Sequence, residues 1–539
     1  MLRRVCAVAA CKYPRVAGLG LCFYSSTLQV PQRQQRLSNF LNTFKKTKRR
    51  KDVSDATHPS NITVLEIKQF LQEYAKESGS DILFEDICNQ YDIIKAFLPA
   101  QRQEHVLSNI KVWRTTCNGD GIAIIPKSMY CFEYTDSESI LDKYTIVLIP
   151  KTTTGDKVRV LLKMHHEFYA EGELIEVTNA NSKHSKRNDE LVLCKHFREC
   201  NGCQLQMLSY EEQLKFKQDV IKRAFSYFYP QLSMKSNFGT VVGSPLQYAY
   251  RTKLTPHFEV RDGKNTKLGF KHVNNRGKLD IEHCPIATVE INEKLSKARD
   301  KYLNEAPMGQ LTLRQSLRVD HGTGEFIPIA LEGQDKVVAE RIEDFVYQFG
   351  SNCFFQNNSS ILSLVLDLIR YHLKQLSKPV TNIVDTYCGV GFFGIALSQL
   401  HPEINVFGID VSEWSIKYAQ HNTKLNGLDP KRIQFILGDA SKIFQNEDFE
   451  KAGIKGEDSV VIIDPSRKGS NEAFLKQLVQ FNPAIIIYIS CNVFTQARDL
   501  ATFEKLQGEN VKYVLENVVG FDFFPQTKHV ESVAILKRV

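Results

Sequence analysis

Cys491 stands in Tyr488-Ile489-Ser490-Cys491-Asn492, directly after an apolar run from Ala484 to Ile489. A short run of that kind reads as a buried strand, so the sulfur should emerge at the strand's carboxyl end. Forty residues on, Phe524-Pro525-Gln526-Thr527-Lys528-His529-Val530-Glu531 brings a carboxylate close to the end of the sequence. A thiol able to add to an electrophilic carbon, with a carboxylate to accept a proton, suits covalent catalysis.

These two groups need a scaffold, and the last third of the chain supplies one. From Asn352 to Val539, apolar runs at Val380 to Thr386, Val406 to Asp410, Ile433 to Leu437, Ser459 to Asp464 and Ala484 to Ser490 alternate with helical patterns. That alternation is the doubly wound α/β pattern. The first run leads through Asp385-Thr386-Tyr387-Cys388 into Gly389-Val390-Gly391, a turn whose glycines let a ligand approach the backbone. Twenty-five residues after Asp385, the next run ends in Asp410, placed to accept from both hydroxyls of a ribose. Asp439 ends the run after that, where an adenine amine could be held. Three acids at successive strand ends point to an adenosyl-methionine site, although the third glycine of a dinucleotide fingerprint is missing. A fourth run delivers Asp464-Pro465-Ser466-Arg467 to the same edge. There Asp464 could accept from a pyrimidine N3–H, and Arg467 could bind a phosphate or a carbonyl.

The rest of the chain is of other kinds. Residues 1–51 hold twelve Lys or Arg and no acid, more than the whole chain's net +8, so the remainder is net acidic. An affinity for nucleic acid must therefore come from local basic patches. Residues 1–60 are expected to be a disordered basic extension whose start reads as a mitochondrial presequence. The run Lys45 to Lys51 admits a nuclear signal, an RNA-contacting tail or a solvated linker. Residues 61–109 carry helical spacing, with a second amphipathic stretch from Ile87 to Phe97. Short strands over 110–178 suit a small OB-like barrel of the sort that presents a face to nucleic acid. Residues 191–350 read as a mixed α+β central domain, and 351–539 as the doubly wound one. No run of eighteen apolar residues occurs, so no membrane span is expected.

Thirteen cysteines without secretory context argue against a disulfide framework. Four are set apart: Cys194, Cys200 and Cys203, spaced five and two residues apart, and Cys284 in His283-Cys284-Pro285. This spacing suits a [4Fe–4S] cluster better than structural zinc, with plain reduced thiols as the remaining reading.

The segments Asp385 to Gly391, Asp464 to Gly469, Ser490 to Asn492 and His529 to Ser532 closely resemble the RNA 5-methyluridine methyltransferase family. The resemblance spans roughly residues 115–539 and is strongest to the eukaryotic, fungal-type members that act on the T-loop uridine of tRNA. It implies a Rossmann-like methyltransferase domain, a TRAM-type barrel that binds RNA, and S-adenosyl-L-methionine as methyl source. It implies Cys491 as nucleophile and Glu531 as proton acceptor, and contacts to the cofactor from Gln356, Tyr387, Asp410 and Asp464. It also implies the iron–sulfur ligand set Cys194, Cys200, Cys203 and Cys284, as in cluster-bearing bacterial rRNA relatives. Ser466, Val493 and Phe392 depart from the family pattern. The Cys491 thiol is expected to have a depressed pKa, with Arg467 or nearby donors as the cause. A monomer acting on tRNA is expected, with ribosomal RNA or a non-catalytic RNA chaperone role as alternatives.

Overall fold

The computed structural model describes residues 55–77, 105–126, 144–165, 169–180, 185–233, 238–274, 277–508 and 512–539. Two compact units, Met1–His58 and Pro59–Val539, divide the chain, and every helix and strand of the described residues lies in the second. Most of the expected basic extension, and the amphipathic stretch from Ile87 to Phe97, lie outside the described residues. Among the described residues no helix is long and apolar enough to cross a membrane.

Five strands, β1 (His105–Thr115), β2 (Asp120–Pro126), β3 (Tyr144–Pro150), β4 (Lys157–His165) and β5 (Ala170–Val177), close into a barrel in the order β1-β2-β3-β5-β4. The barrel begins at His105, five residues before the expected boundary. Alternation fills it: Val158 and Val160 point inward, Lys157 and Arg159 outward. In β2 and β3 that alternation gives way to unbroken apolar runs, and the structure supplies the reason. A helix over Pro59–Glu77 lays Ile67, Phe70 and Leu71 on the outer side chains Ile122, Ile146 and Leu148. Both faces of those strands are therefore dry.

The central region holds the sheet of β6 (Lys253–Leu254), β9 (Leu313–Val319) and β10 (Phe326–Glu332), the hairpin of β7 (His257–Arg261) and β8 (Lys264–Gly269), and a helix over Val289–Tyr302. A further hairpin, β11 (Val337–Ile342) and β12 (Phe345–Gly350), turns its side chains elsewhere. Val338, Phe345, Tyr347 and Phe349 share a core with Ile383, Val460 and Ile462 of the C-terminal sheet. The helix Tyr210–Phe228 likewise packs Val220, Ile221 and Phe225 with Val384, Val461 and Ile463 on the opposite face. The hydrophobic cores therefore do not divide at residue 350.

That sheet has seven strands: β13 (Asn382–Asp385), β14 (Asn405–Asp410), β15 (Ile433–Leu437), β16 (Ser459–Ile463), β17 (Ile485–Ser490), β18 (Tyr513–Phe521) and β19 (Glu531–Arg538). Their order is β15-β14-β13-β16-β17-β19-β18. Strands β13 to β17 are parallel, and β19 runs antiparallel between β17 and β18. The order reverses between β13 and β16, the place where open α/β sheets leave a crevice for ligands.

Candidate active site

Strand β17 ends at Ser490, so Cys491 projects from the carboxyl edge of the sheet, as the apolar run implied. The next residue, Asn492, caps the helix Val493–Leu506 by accepting from the Phe494 N–H at 3.2 Å. Its side-chain amide also donates to the Arg467 carbonyl at 3.0 Å, which ties the two loops together. Glu531 opens β19. The register pairs Ile489 with Val533 and Ser490 with Ser532. Carried one residue further, it sets Cys491 directly across from Glu531. Residues so opposed share a face, with Cβ atoms about 4.5–5.5 Å apart. Cys491, Glu531, Arg467, Gln356, Phe524 and His529 line one cavity of about 480 Å³.

Burial dominates the electrostatics here. Glu531 is 4% exposed. Its carboxyl is raised to about 8 by desolvation and by the Asp464 carboxylate, against the pull of Arg467. Desolvation likewise raises Asp464 to about 7. The Cys491 thiol is raised to about 11 by burial, then by Glu531 and Asp464, with Arg467 opposing. The expected depression of this thiol is therefore reversed: two carboxyl groups and lost hydration outweigh one guanidinium. His529 is lowered to about 3 by burial and by the nearby Lys528, Arg467, Lys217 and Arg251, so its ring is neutral.

In the glycine turn after β13, Gly389 has φ +51° and nothing within 4 Å of where a Cβ would stand, which leaves room for a ligand, whereas Gly391 is packed against the core. Gly391 has φ +87°, and a Cβ there would meet Phe435 Cζ at 2.9 Å and Ile395 Cδ1 at 3.0 Å. Asp385 is fully buried, accepts from the Gly394 N–H at 3.3 Å through one oxygen, and leaves its other oxygen without a partner among the described residues. Burial, Asp464 and Asp410 together raise it to about 7. Asp410 holds the turn by accepting from the N–H of Gly389 at 3.1 Å and of Ser412 at 2.8 Å. Tyr387 packs edge-on against Phe474 at 6.1 Å. Exposed Asp439 has a local role: it caps the short helix Ala440–Gln445 and accepts from the Ser441 N–H at 2.9 Å. Glycine clearance, an orphaned acidic oxygen and acids at consecutive strand ends fit an adenosyl-methionine ligand.

The model of the family described as tRNA (Uracil-5-)-methyltransferase matches residues 326–539. A tRNA (uracil(54)-C(5))-methyltransferase of Schizosaccharomyces pombe is 34% identical over 92% of this chain and 91% of its own. The chain belongs to this family. The Saccharomyces cerevisiae protein of the same name is 33% identical over 80% of this chain and 74% of its own. Among solved structures, Pyrococcus abyssi tRNA (uracil-54, C5)-methyltransferase in complex with S-adenosyl-L-homocysteine superposes with a TM-score of 0.54. It covers 79% of this chain and 100% of its own at 23% identity, a likeness of fold.

The iron–sulfur expectation finds no support among the described residues. Cys194, Cys200, Cys203 and Cys284 line the same cavity as Cys491. Among the described residues, however, no three Cys, His, Asp or Glu side chains converge closely enough to hold a metal. Desolvation raises all four thiols, Cys203 to about 11 and Cys284 to about 12, and Cys284 is raised further by the nearby Cys203, Cys194 and Cys200.

Sequence reasoning missed how the segment before Glu531 is held. Gln526 has φ +71°, a left-handed conformation that a residue with a side chain adopts at a cost. It persists because it is tied on every side. The Gln526 N–H donates to Gln213 Oε1 at 2.9 Å, while Gln213 Nε2 donates to Gln526 Oε1 at 3.0 Å. The Gln526 carbonyl accepts from the N–H of Gln204 and of Leu205, both at 3.0 Å. Tyr250 donates to the Pro525 carbonyl at 2.9 Å, and Asn358 to that of Phe523 at 3.1 Å. The cysteine-bearing loop is thus a clamp on the segment that leads into Glu531. The clue in the sequence was a glutamine in an otherwise small and aromatic turn, and its partner lies 313 residues away.

Proposed function

We propose that this chain transfers a methyl group from S-adenosyl-L-methionine to C5 of a uridine in tRNA, with Cys491 as nucleophile and Glu531 as proton acceptor. The target is the one named for its yeast relatives, uridine 54. The carrying observation is the antiparallel register that opposes Cys491 to Glu531 in a single cavity with Arg467.

Uracil C5 alone is too poor a nucleophile for the reaction. Addition of Cys491 Sγ to C6 shifts the C5=C6 electron pair toward C5 and O4. Because burial keeps the thiol protonated at rest, its proton needs a destination, and O4 gains basicity in the same step. The bound cofactor supplies the methyl group as an electrophile. The ionised form of Glu531, a minority at neutral pH because its titration lies at about 8, then takes the proton from C5; the C5=C6 bond re-forms and the C6–S bond breaks as the sulfur regains the proton held at O4. Asp464 and Arg467 flank this centre, one suited to a pyrimidine N–H and the other to a carbonyl or phosphate. The closed barrel at 105–177 is read as the TRAM-type RNA-binding module.

The test is a covalent trap. Glu531→Gln incubated with tRNA and cofactor should accumulate a protein–RNA adduct that survives denaturation. Cys491→Ala, and the double variant, should form none. A Cys491→Ala protein that methylates tRNA at the parental rate would refute the assignment.

A further inference from the structure

A second cavity, of about 460 Å³, lies on the other side of the catalytic segment. Thr527 and His529 line the cavity of Cys491, whereas Lys528 between them lines this one. Its other walls come from the barrel, including Asn118, Asp120, Lys163 and Glu171, and from the segments around Gln204 and Asn274. It is nearly as large as the cavity that takes the target base in the proposed reaction.

The charges within it are incomplete. Burial raises Asp120 to about 6, against the attraction of Lys528 and Lys151, so the group is mostly ionised at neutral pH. Among the described residues no donor reaches its carboxylate, although such groups in partly dry surroundings are ordinarily paired. Lys528 Nζ spends one proton on Asn118 Oδ1 at 2.8 Å and forms no ion pair with Asp120. Lys151, the other cation that acts on Asp120, is committed to the carbonyls of Cys200 and Cys203. An acceptor and a donor thus face the same space without meeting. A flat ligand that offers adjacent N–H donors and a carbonyl on one edge would bridge them.

Guanine has that edge: N1–H and the exocyclic amine for the Asp120 carboxylate, O6 for the Lys528 ammonium. Uracil offers one donor to the carboxylate rather than two, and adenine and cytosine lack the carbonyl beside a ring N–H. Unpaired bases read on this edge and stacked on aromatic side chains are the usual mode of sequence-specific RNA recognition. We propose that this cavity is a second nucleobase site, which takes a guanine of the substrate RNA while the target uridine occupies the first. It rests on RNA being the substrate, as proposed above.

The experiment uses the full chain and unmodified tRNA transcripts in which each guanosine in turn is replaced by inosine, which keeps N1–H and O6 but lacks the amine. Affinity and methylation are measured at one fixed salt concentration. At one position inosine should weaken binding roughly tenfold, the scale of one lost base contact, and raise KM with kcat little changed. In Asp120→Ala the guanosine RNA should already bind at the weakened level, and inosine at that position should add nothing. An inosine effect that persists in full in Asp120→Ala reflects RNA folding and overturns the proposal, as does a scan with no sensitive position. Failure of the parent protein to methylate any transcript instead overturns the function proposed for Cys491 and Glu531.

Discussion

Replacing Glu531 with glutamine should make the protein more stable, and only above a certain pH. The fold holds this carboxyl in its neutral form, raising its titration from 4.5 to about 8. Between those two values the unfolded chain has lost the proton and the folded chain retains it, so stability falls as pH rises. Below pH 4.5 both states are protonated, and the substitution gains nothing. Above about pH 8 the whole penalty is present. At 1.36 kcal/mol per decade of proton affinity, the displacement sets a ceiling of roughly 5 kcal/mol. Asp464 and Arg467 share the site, so about 2 kcal/mol is the expected gain from the single change. Glutamine has nearly the same shape and no charge to desolvate. Urea titrations of parent and variant at pH 5, 7 and 8.5 measure the difference. The gain should be small at pH 5 and largest at pH 8.5, in a protein that no longer turns over. Equal pH dependence in the two proteins would refute the claim that a buried acid held neutral sits opposite Cys491.

Two further substitutions probe the frame around the site. Gln526→Ala leaves the buried Gln213 amide without its partner, and should destabilise by about 1–3 kcal/mol. Because the segment leading to Glu531 loosens, single-turnover methylation should slow while cofactor affinity is kept. A variant with unchanged turnover would remove the clamp from the mechanism. Lys217 and Asp522 form an ion pair in which neither side chain is exposed. Lys217→Met should therefore cost roughly 3–5 kcal/mol, and Lys217→Met combined with Asp522→Leu should recover much of it, as read by denaturant midpoints.

The C-terminal sheet was legible because its parallel strands are buried on both faces and so read as short apolar runs. Ile433 to Leu437 coincides with its strand, and the other four agree within two residues at each end. Cys491 and Glu531 were legible for a related reason, since each directly adjoins or opens such a run. The thiol's environment was not. Charge counting sees Arg467, but the raised titration comes from lost water and from carboxyls that only the folded chain brings near. The cysteine spacing of five and two could not show that Cys284, from another loop, lines the same cavity as the other three. The hairpin Val337–Gly350 has ordinary alternation, and nothing in that pattern says which core its buried face joins.

The direction of β19 decides whether there is a site at all. A parallel last strand would begin at the amino edge of the sheet. Glu531 would then lie a strand's length from Cys491, roughly 17–20 Å for five or six residues. Entering antiparallel between β17 and β18, β19 starts at the edge where β17 ends, which makes the two residues neighbours. Direction alone is not sufficient, because a one-residue slip would turn Glu531 to the other face. On the β18 side the ladder does shift, between Leu515 and Asn517. On the β17 side the pairing is unbroken from Ile485–Lys537 to Ser490–Ser532. The irregularity is thus confined to the strand pair that does not lead to Cys491. The clamp on Gln526 acts at the other end of the same problem, since it fixes how the chain enters β19. Register from one side and loop geometry from the other set the same carboxyl group.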